Sequence, residues 1–457
     1  MTTSILPYDD TNPKDIERYA KLLIGKRFKE IGNNAEKRGG KGKLGQYLEE
    51  NYFNYKLNSD SRADFYKAGV ELKTSPIKKI SKNRIRAKER IVLNIINYME
   101  IINEKWADSS LVKKNYLLLL IFYLYEEGLG DLDYIIKIVT LWHYDEKDGE
   151  IIRQDWEKIV SKIKNGKAHE LSEGDTLYLG ACTKGVDKSS ERNQPFSKEK
   201  AKQRAFCFKQ NYVNSIIERL NDSESAIKDI SILKKKSFEE IILERINKYV
   251  DESISNLHKE LNISIKPTAK NYCAILASKM LGLKKNKIDE FEKAEIEIKS
   301  IRLKHNGNPD QNMSFPAFKF KEVASEEWED SQLINIVEKK YLFMVFQYDK
   351  DKNLYFKGGF FWNMPHKDIL QVKMVWFKTK KIINEGVKIW DAKGKTKNNL
   401  PKKSENQICH VRPHTSNKEN VDILPDGRTL TKQCFWFNGS YLKEQIKESQ
   451  LDNISTK

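Results

Sequence analysis

Three blocks of this chain recur in the same order. Lys293–Ser300 (Lys-Ala-Glu-Ile-Glu-Ile-Lys-Ser) repeats Lys67–Thr74 (Lys-Ala-Gly-Val-Glu-Leu-Lys-Thr), Glu326–Ser331 repeats Glu104–Ser109, and Phe435–Tyr441 repeats Phe206–Tyr212, at separations of 222–229 residues. A period this long describes a duplicated domain and not a stack of short repeats. The chain is therefore expected to fold as two related halves, which a length of 457 residues also favours over one core.

Within the first copy, Asp64-Phe65-Tyr66-Lys67-Ala68-Gly69-Val70-Glu71-Leu72-Lys73 gathers two carboxylates and an amine in a short hairpin-like span. If Val70 and Leu72 belong to a strand, Glu71 and Lys73 project from the same face. Converging carboxylates suit a hard divalent cation such as Mg2+. An adjacent lysine is placed to orient or deprotonate water, or to offset charge on a phosphate under attack. In a chain with 32% charged residues an alternating Glu-x-Lys is also an ordinary solvated strand face, so spacing alone leaves both readings open.

The chain carries 82 Lys+Arg against 65 Asp+Glu, a formal charge of +17, which points to a polyanionic partner. Phosphate backbones bind such a surface through counterion release, which gives affinity without selectivity. The five cysteines (Cys182, Cys207, Cys273, Cys409, Cys434) form no C-x-x-C pair, which argues against a zinc ribbon and a disulfide framework and favours a reducing, cytoplasmic compartment. The N-terminus lacks the pattern of a secretory signal. The most apolar run, Tyr116 to Tyr125, is too short to span a bilayer and reads as a strand buried on both faces.

Taken in order, residues 14 to 31 have helical spacing entered at Asn12-Pro13. The Gly- and Lys-rich stretch 37 to 43 lacks the Gly-Lys-Ser/Thr ending of a phosphate-binding loop and reads as basic backbone. A helix opens at Leu44-Gly45-Gln46-Tyr47-Leu48-Glu49, and Ile91 to Ile96 reads as a core strand. Ser223 to Leu261 is charged and helical, with a Ser237-x-x-Glu240 capping box and Ile242, Ile246, Val250, Ile254, Leu257 and Leu261 along one face. The expected division is a catalytic domain over 1–222, a helical connector over 223–262 and a second domain over 263–457.

The Leu-Gly-Gln-Tyr-Leu-Glu helix, the Asp64-Phe65 pair and Gly69-Val70-Glu71-Leu72-Lys73-Thr74-Ser75-Pro76 together resemble the MutH family. That family includes GATC-directed mismatch-repair nickases and type II restriction endonucleases of the Sau3A kind, and the likeness to the latter runs over nearly the whole chain. The resemblance implies tandem restriction-endonuclease-like α/β domains, each a mixed sheet flanked by helices. It implies Mg2+-dependent hydrolysis of double-stranded DNA 5′ of GATC, with Asp64, Glu71 and Glu49 at the metal and Lys73 on the water. A cognate DNA methyltransferase in the same system, without direct contact, follows from the same likeness. Lys88, Lys184, Arg204 and Lys209 fall at or beside basic positions of the family pattern, and Arg412 matches its recognition arginine, so these five are expected at DNA. His169 is read as a hydrogen-bonded structural histidine, and His410 and His414 have no acidic or Cys neighbour at zinc spacing.

The second copy departs where the chemistry is strict. Glu290 replaces Asp64, and the position of Glu49 falls in Tyr272–Ala277, which has no carboxylate. The second domain is thus expected to be catalytically silent while retaining DNA binding and regulating cutting. One complete site per chain and two strands to cut imply either self-association on DNA or sequential nicking.

Overall fold

The computed structural model describes residues 6–31, 43–55, 62–81, 84–184, 190–217, 225–269, 271–392, 395–414 and 419–449. Residues 37 to 42 of the basic stretch lie outside these. The chain divides into two compact units. The first holds residues 1–222 with 229–237 and 292–294, and the second holds 223–228, 238–291 and 295–457.

In the first unit Pro13–Lys21 forms α1, with Asn12 accepting from the Lys14 N–H at 3.0 Å and Pro13 in the first turn. The expected helix over 14 to 31 stops here. Leu22 caps it and is 56% exposed, Gly25 has φ +88°, and Phe28 is buried by a separate short turn, Phe28–Glu30. Lys43–Asn51 is α2, Val70–Ser81 is β1, Arg84–Ala87 is β2 and Ile91–Ile95 is β3. Ser110–Asn115 is α3, Leu117–Leu124 is β4, Ile135–Trp142 is β5 and Glu146–Lys164 is α4. Leu179–Thr183 (β6) and Arg204–Phe208 (β7) precede Gln210–Ile217 (α5).

The main sheet runs β2-β1-β4-β5. β1 pairs in parallel with β4 (Val70 opposite Leu117), and the other pairings are antiparallel. A β-branched and leucine-rich run such as β4 suits a central strand covered on both faces, and Leu118 to Phe122 are at most 1% exposed. A second, antiparallel sheet runs β3-β7-β6.

The second unit repeats this plan. Its helices Phe238–Ile246 (α6), Ile254–Glu260 (α7) and Tyr272–Met280 (α8) precede Glu297–Leu303 (β8), Met313–Ala317 (β9), Gln332–Val337 (α9), Tyr341–Tyr348 (β10), Leu354–Trp362 (β11) and His366–Glu385 (α10). Cys409–Pro413 (β12), Gln433–Phe437 (β13) and Gly439–Glu448 (α11) complete it. β8 pairs in parallel with β10, β10 is antiparallel to β11, and β9-β13-β12 form the antiparallel partner sheet. Even a local cap recurs. Ser109 Oγ donates to Trp106 O at 2.8 Å and accepts from Val112 N, and Ser331 Oγ donates to Trp328 O at 2.8 Å and accepts from Ile334 N.

The stretch expected as one connecting helix is interrupted. Asp251 adopts φ +69°, its N–H donates to Phe356 O, and Phe356 N–H donates back to Glu252 O, so the chain between α6 and α7 lines the edge of β11. Among the described residues no helix is long and apolar enough to cross a membrane.

Candidate active site

The loop before β1 explains how Asp64 reaches its neighbours. Phe65 and Val70 exchange backbone hydrogen bonds across a tight turn in which Gly69 takes φ +67°, a conformation glycine adopts without strain. Phe65 anchors the turn in the core at 1% exposure. Asp64 then folds back over the strand. Leu72 N–H donates to Asp64 Oδ2 at 2.9 Å, and Asp64 N–H donates to Glu71 Oε2 at 3.1 Å.

Glu71 and Lys73 share one face of β1, and Lys73 Nζ lies 2.7 Å from Glu71 Oε1. The Glu71 side chain is only 3% exposed. A second amine approaches it: Lys114 Nζ, from the last turn of α3, stands 3.7 Å from the same oxygen. Local spacing does not reveal Lys114, because the parallel pairing of β1 with β4 is what sets α3 beside Glu71.

Glu49 comes from α2, which approaches β1 closely at Gly45. A Cβ there would meet Thr74 Oγ1 at 3.3 Å. Burial, reinforced by Asp64 and Glu71, pushes the Glu49 carboxyl up to about 7. Burial and then Glu71 push Asp64 up to about 6, against the Leu72 N–H, Lys73 and Lys114, which lower it. Mutual repulsion among oxygen donors of this kind is what a divalent cation relieves, so the donor set fits a hard metal ion. Among the described residues, no three His, Cys, Asp or Glu side chains close into a ready-made coordination shell.

The counterpart in the second unit is altered at each corner but one. Lys299 Nζ remains 2.9 Å from Glu297 Oε1, yet these side chains are 24% and 42% exposed. Glu290 is 1% exposed and turned to the backbone: it accepts from Ser225 Oγ at 2.6 Å and Ala226 N at 2.9 Å. Cys273 bonds Ser300 where Gly45 meets Thr74, which puts α8 in the place of α2 and Ala277, fully buried, at the position of Glu49. The aligned serine caps likewise set Ile336, 9% exposed, at the position of Lys114.

The basic residues expected at DNA separate into two groups. Lys184 and Arg412 are exposed, the Arg412 guanidinium lying 4.9 Å over the Trp436 ring. Lys88 sits opposite Pro76, farther along β1 than the carboxylates, with its ammonium 4.2 Å over the Tyr125 ring. Arg204 and Lys209 are instead engaged with the backbone. Arg204 is 8% exposed and donates to the Ala181 and Leu171 carbonyls, while Lys209 Nζ donates to the carbonyls of Glu173 and Thr176. These two cations satisfy buried acceptors and hold the 171–181 segment. His169 bonds Gln194 and Glu199, His410 bonds Asn438, and His414 lies against Cys434.

Comparison with known proteins agrees with this architecture. The family model of the DNA mismatch repair enzyme MutH matches residues 53–155 and again 282–373, one segment in each half. The DNA mismatch repair protein MutH of Shewanella amazonensis is 30% identical over 36% of this chain and 75% of its own length, and that of Shewanella woodyi is 27% identical over 39% and 77%. The type II restriction enzyme Sau3AI of Staphylococcus aureus is 40% identical over 95% of this chain and 98% of its own. On an identity of that extent, the chain belongs to the MutH/Sau3AI family of endonucleases.

Proposed function

We propose that this protein is a type II restriction endonuclease that hydrolyses double-stranded DNA 5′ of GATC with Mg2+, and that the first unit alone cuts. The observation that carries this reading is the joint presence, in one unit only, of Glu49, Asp64, Glu71 and Lys73 in a chain matched nearly end to end by a type II restriction enzyme.

Asp64, Glu71 and Glu49 would hold the divalent ion, which when bound supplies Lewis acidity toward the phosphate and water. Lys73, fixed against Glu71 at 2.7 Å, orients the attacking water and offsets charge on the phosphate under attack, while the proton the water loses passes to solvent. Lys114 adds positive charge at the same carboxylate. Water oxygen bonds to phosphorus, a P–O ester bond breaks, and the leaving oxygen gains a proton. Lys184 in the first unit and Arg412 in the second are the exposed cations assigned to DNA, and Lys88 of the first unit is assigned to it as well. The second unit binds DNA and regulates cutting. With one complete site per chain, two chains associate on DNA to cut both strands. A cognate methyltransferase protects the host sites, and the enzyme works in the cytoplasm.

Incubating the purified protein and Mg2+ with plasmids differing only in GATC methylation tests this reading. Double-strand cleavage at GATC is expected. Nicking confined to one strand of hemimethylated duplex would instead make it a mismatch-repair-type nickase, and binding without any cutting would make it a DNA-binding protein that kept the fold.

A further inference from the structure

The hairpin that follows Lys184 has a counterpart after His414, and the two differ at the tip. Their bases are alike. Lys184 N–H donates to Gln203 O at 2.7 Å and Gln203 N–H to Ser190 O at 3.0 Å, as His414 N–H donates to Lys432 O and Lys432 N–H to Asn420 O, each at 2.9 Å. Glu191–Arg192 then pairs with Ala201–Lys202 in the first unit, and Val421–Ile423 with Thr429–Thr431 in the second. The second hairpin closes tightly: Leu424 is buried, Gly427 takes φ +87°, and Asp426 pairs with Arg428. The first instead presents Phe196, 76% exposed and at φ +59°. A single apolar side chain in water is ordinary, but a bulky one on left-handed backbone is costly and persists only where its surroundings impose it. Here they do. The buried Gln194 accepts from Ala168 N–H at 2.7 Å and donates to Glu199 O at 2.7 Å, and His169 bridges Gln194 and the Glu199 carboxylate. Pro195 is buried, and the Phe196 carbonyl lies against Gly166, where a Cβ would meet it at 2.7 Å. The scaffold fixes the backbone on both sides of Phe196 and leaves its ring in water, so the strain serves presentation and not packing.

We propose that Phe196 is a wedge whose ring enters a base step of the duplex held by the first unit. Two observations select DNA over an apolar protein partner. Arg192, Lys198, Lys200 and Lys202 are exposed on the same hairpin, against Glu191 and a Glu199 whose carboxylate is engaged by His169. The hairpin also springs from Lys184, the exposed cation assigned to DNA in this unit. Cations beside the ring hold the phosphates on either side of a step, and the ring gains by stacking on the bases it parts. An opened step bends the duplex and brings more of it onto the protein. The inference rests on the reading above, in which the first unit holds the duplex that is cut.

The test uses the full chain, a chelator so that nothing is cut, and GATC duplexes carrying a fluorescent aminopurine at successive steps within and beside the site. Binding of the parent chain is expected to brighten the reporter at one step as its stack opens. Phe196→Ala is expected to abolish that signal and weaken binding about tenfold, with the salt dependence unchanged because no phosphate contact is lost. Phe196→Leu, still an apolar wedge, keeps part of the signal. Phe196→Gly, which relieves the backbone, is expected to hold or raise the melting temperature while binding as weakly as Phe196→Ala. A reporter that stays dark at every step overturns the proposal, and so does equal affinity of parent and Phe196→Gly. A melting temperature lowered by Phe196→Gly also overturns it, since the ring would then be a packing residue. A step opened by Phe196 in a duplex that Mg2+ leaves uncut would keep this inference and remove the functional reading. Cleavage at GATC with no step opened would remove this inference alone.

Discussion

The strands Val70–Ser81 and Glu297–Leu303 carry the same Glu-x-Lys pair with the same contact, 2.7 Å in one and 2.9 Å in the other. What separates them is the surroundings. Glu71 is held at 3% exposure among Asp64, Glu49, Lys73 and Lys114, while Glu297 is 42% exposed, the positions that correspond to Glu49 and Lys114 are Ala277 and Ile336, and Glu290 is bonded to Ser225 and Ala226. A short sequence motif thus does not by itself set the surroundings of its side chains. Charge crowding, and not the motif, distinguishes a centre built for a cation from a salt bridge on a strand.

The sharpest way to break the comparison is to remove each lysine in turn. Lys73→Ala is expected to lower the cleavage rate about a thousandfold with DNA binding kept, whereas Lys299→Ala leaves single-turnover cleavage unchanged. Equal losses would erase the distinction. Next, restoring the missing carboxylate in the second unit carries a folding cost. Ala277→Glu buries a charge at a fully enclosed position and is expected to destabilise that unit by about 3 kcal/mol, read by denaturant unfolding. No loss would mean the second unit still accommodates the ligand set.

The pH response follows from the raised carboxyls. In the folded state Glu49 and Asp64 sit at about 7 and about 6, above the roughly 4 of unfolded chains. The folded state therefore holds extra protons between these values, and the contribution of these two carboxyls to stability, with a chelator present, is full below about pH 4 and falls as pH rises toward 7. Calorimetry should show that fall in the parent and a shallower one in Glu49→Gln, and affinity for the divalent ion should climb through the same window as it competes with protons. The smallest effect concerns DNA. Lys184→Ala and Arg412→Ala should each reduce the slope of log affinity against log salt by about 1. Arg204→Ala should lower the melting temperature and leave the slope alone.

Much of this was legible in the residues. The duplication showed in three spaced blocks, and the period of two in Val-Glu-Leu-Lys put Glu71 and Lys73 on one face. Lys114 was hidden because its neighbour is fixed by a parallel pairing that no local pattern encodes. Arg204 and Lys209 read as surface cations because a charge in a sequence does not say whether water or a buried carbonyl receives it. The helix over 14 to 31 was overextended because Phe28 kept the apolar spacing after the backbone had turned at Gly25.

The parallel pairing of Val70 with Leu117 also orders events in time. Parallel neighbours need a long crossover, so their contacts close late and between distant parts of the chain. A nascent polypeptide that has emerged through Lys73 already holds every motif residue, yet the strand that backs Glu71 and the amine at Lys114 are still unmade. Possession of the motif and possession of the proposed cutting centre are therefore separated by the synthesis of everything from Thr74 to Leu124, and on that proposal topology serves as the enzyme's first safety catch.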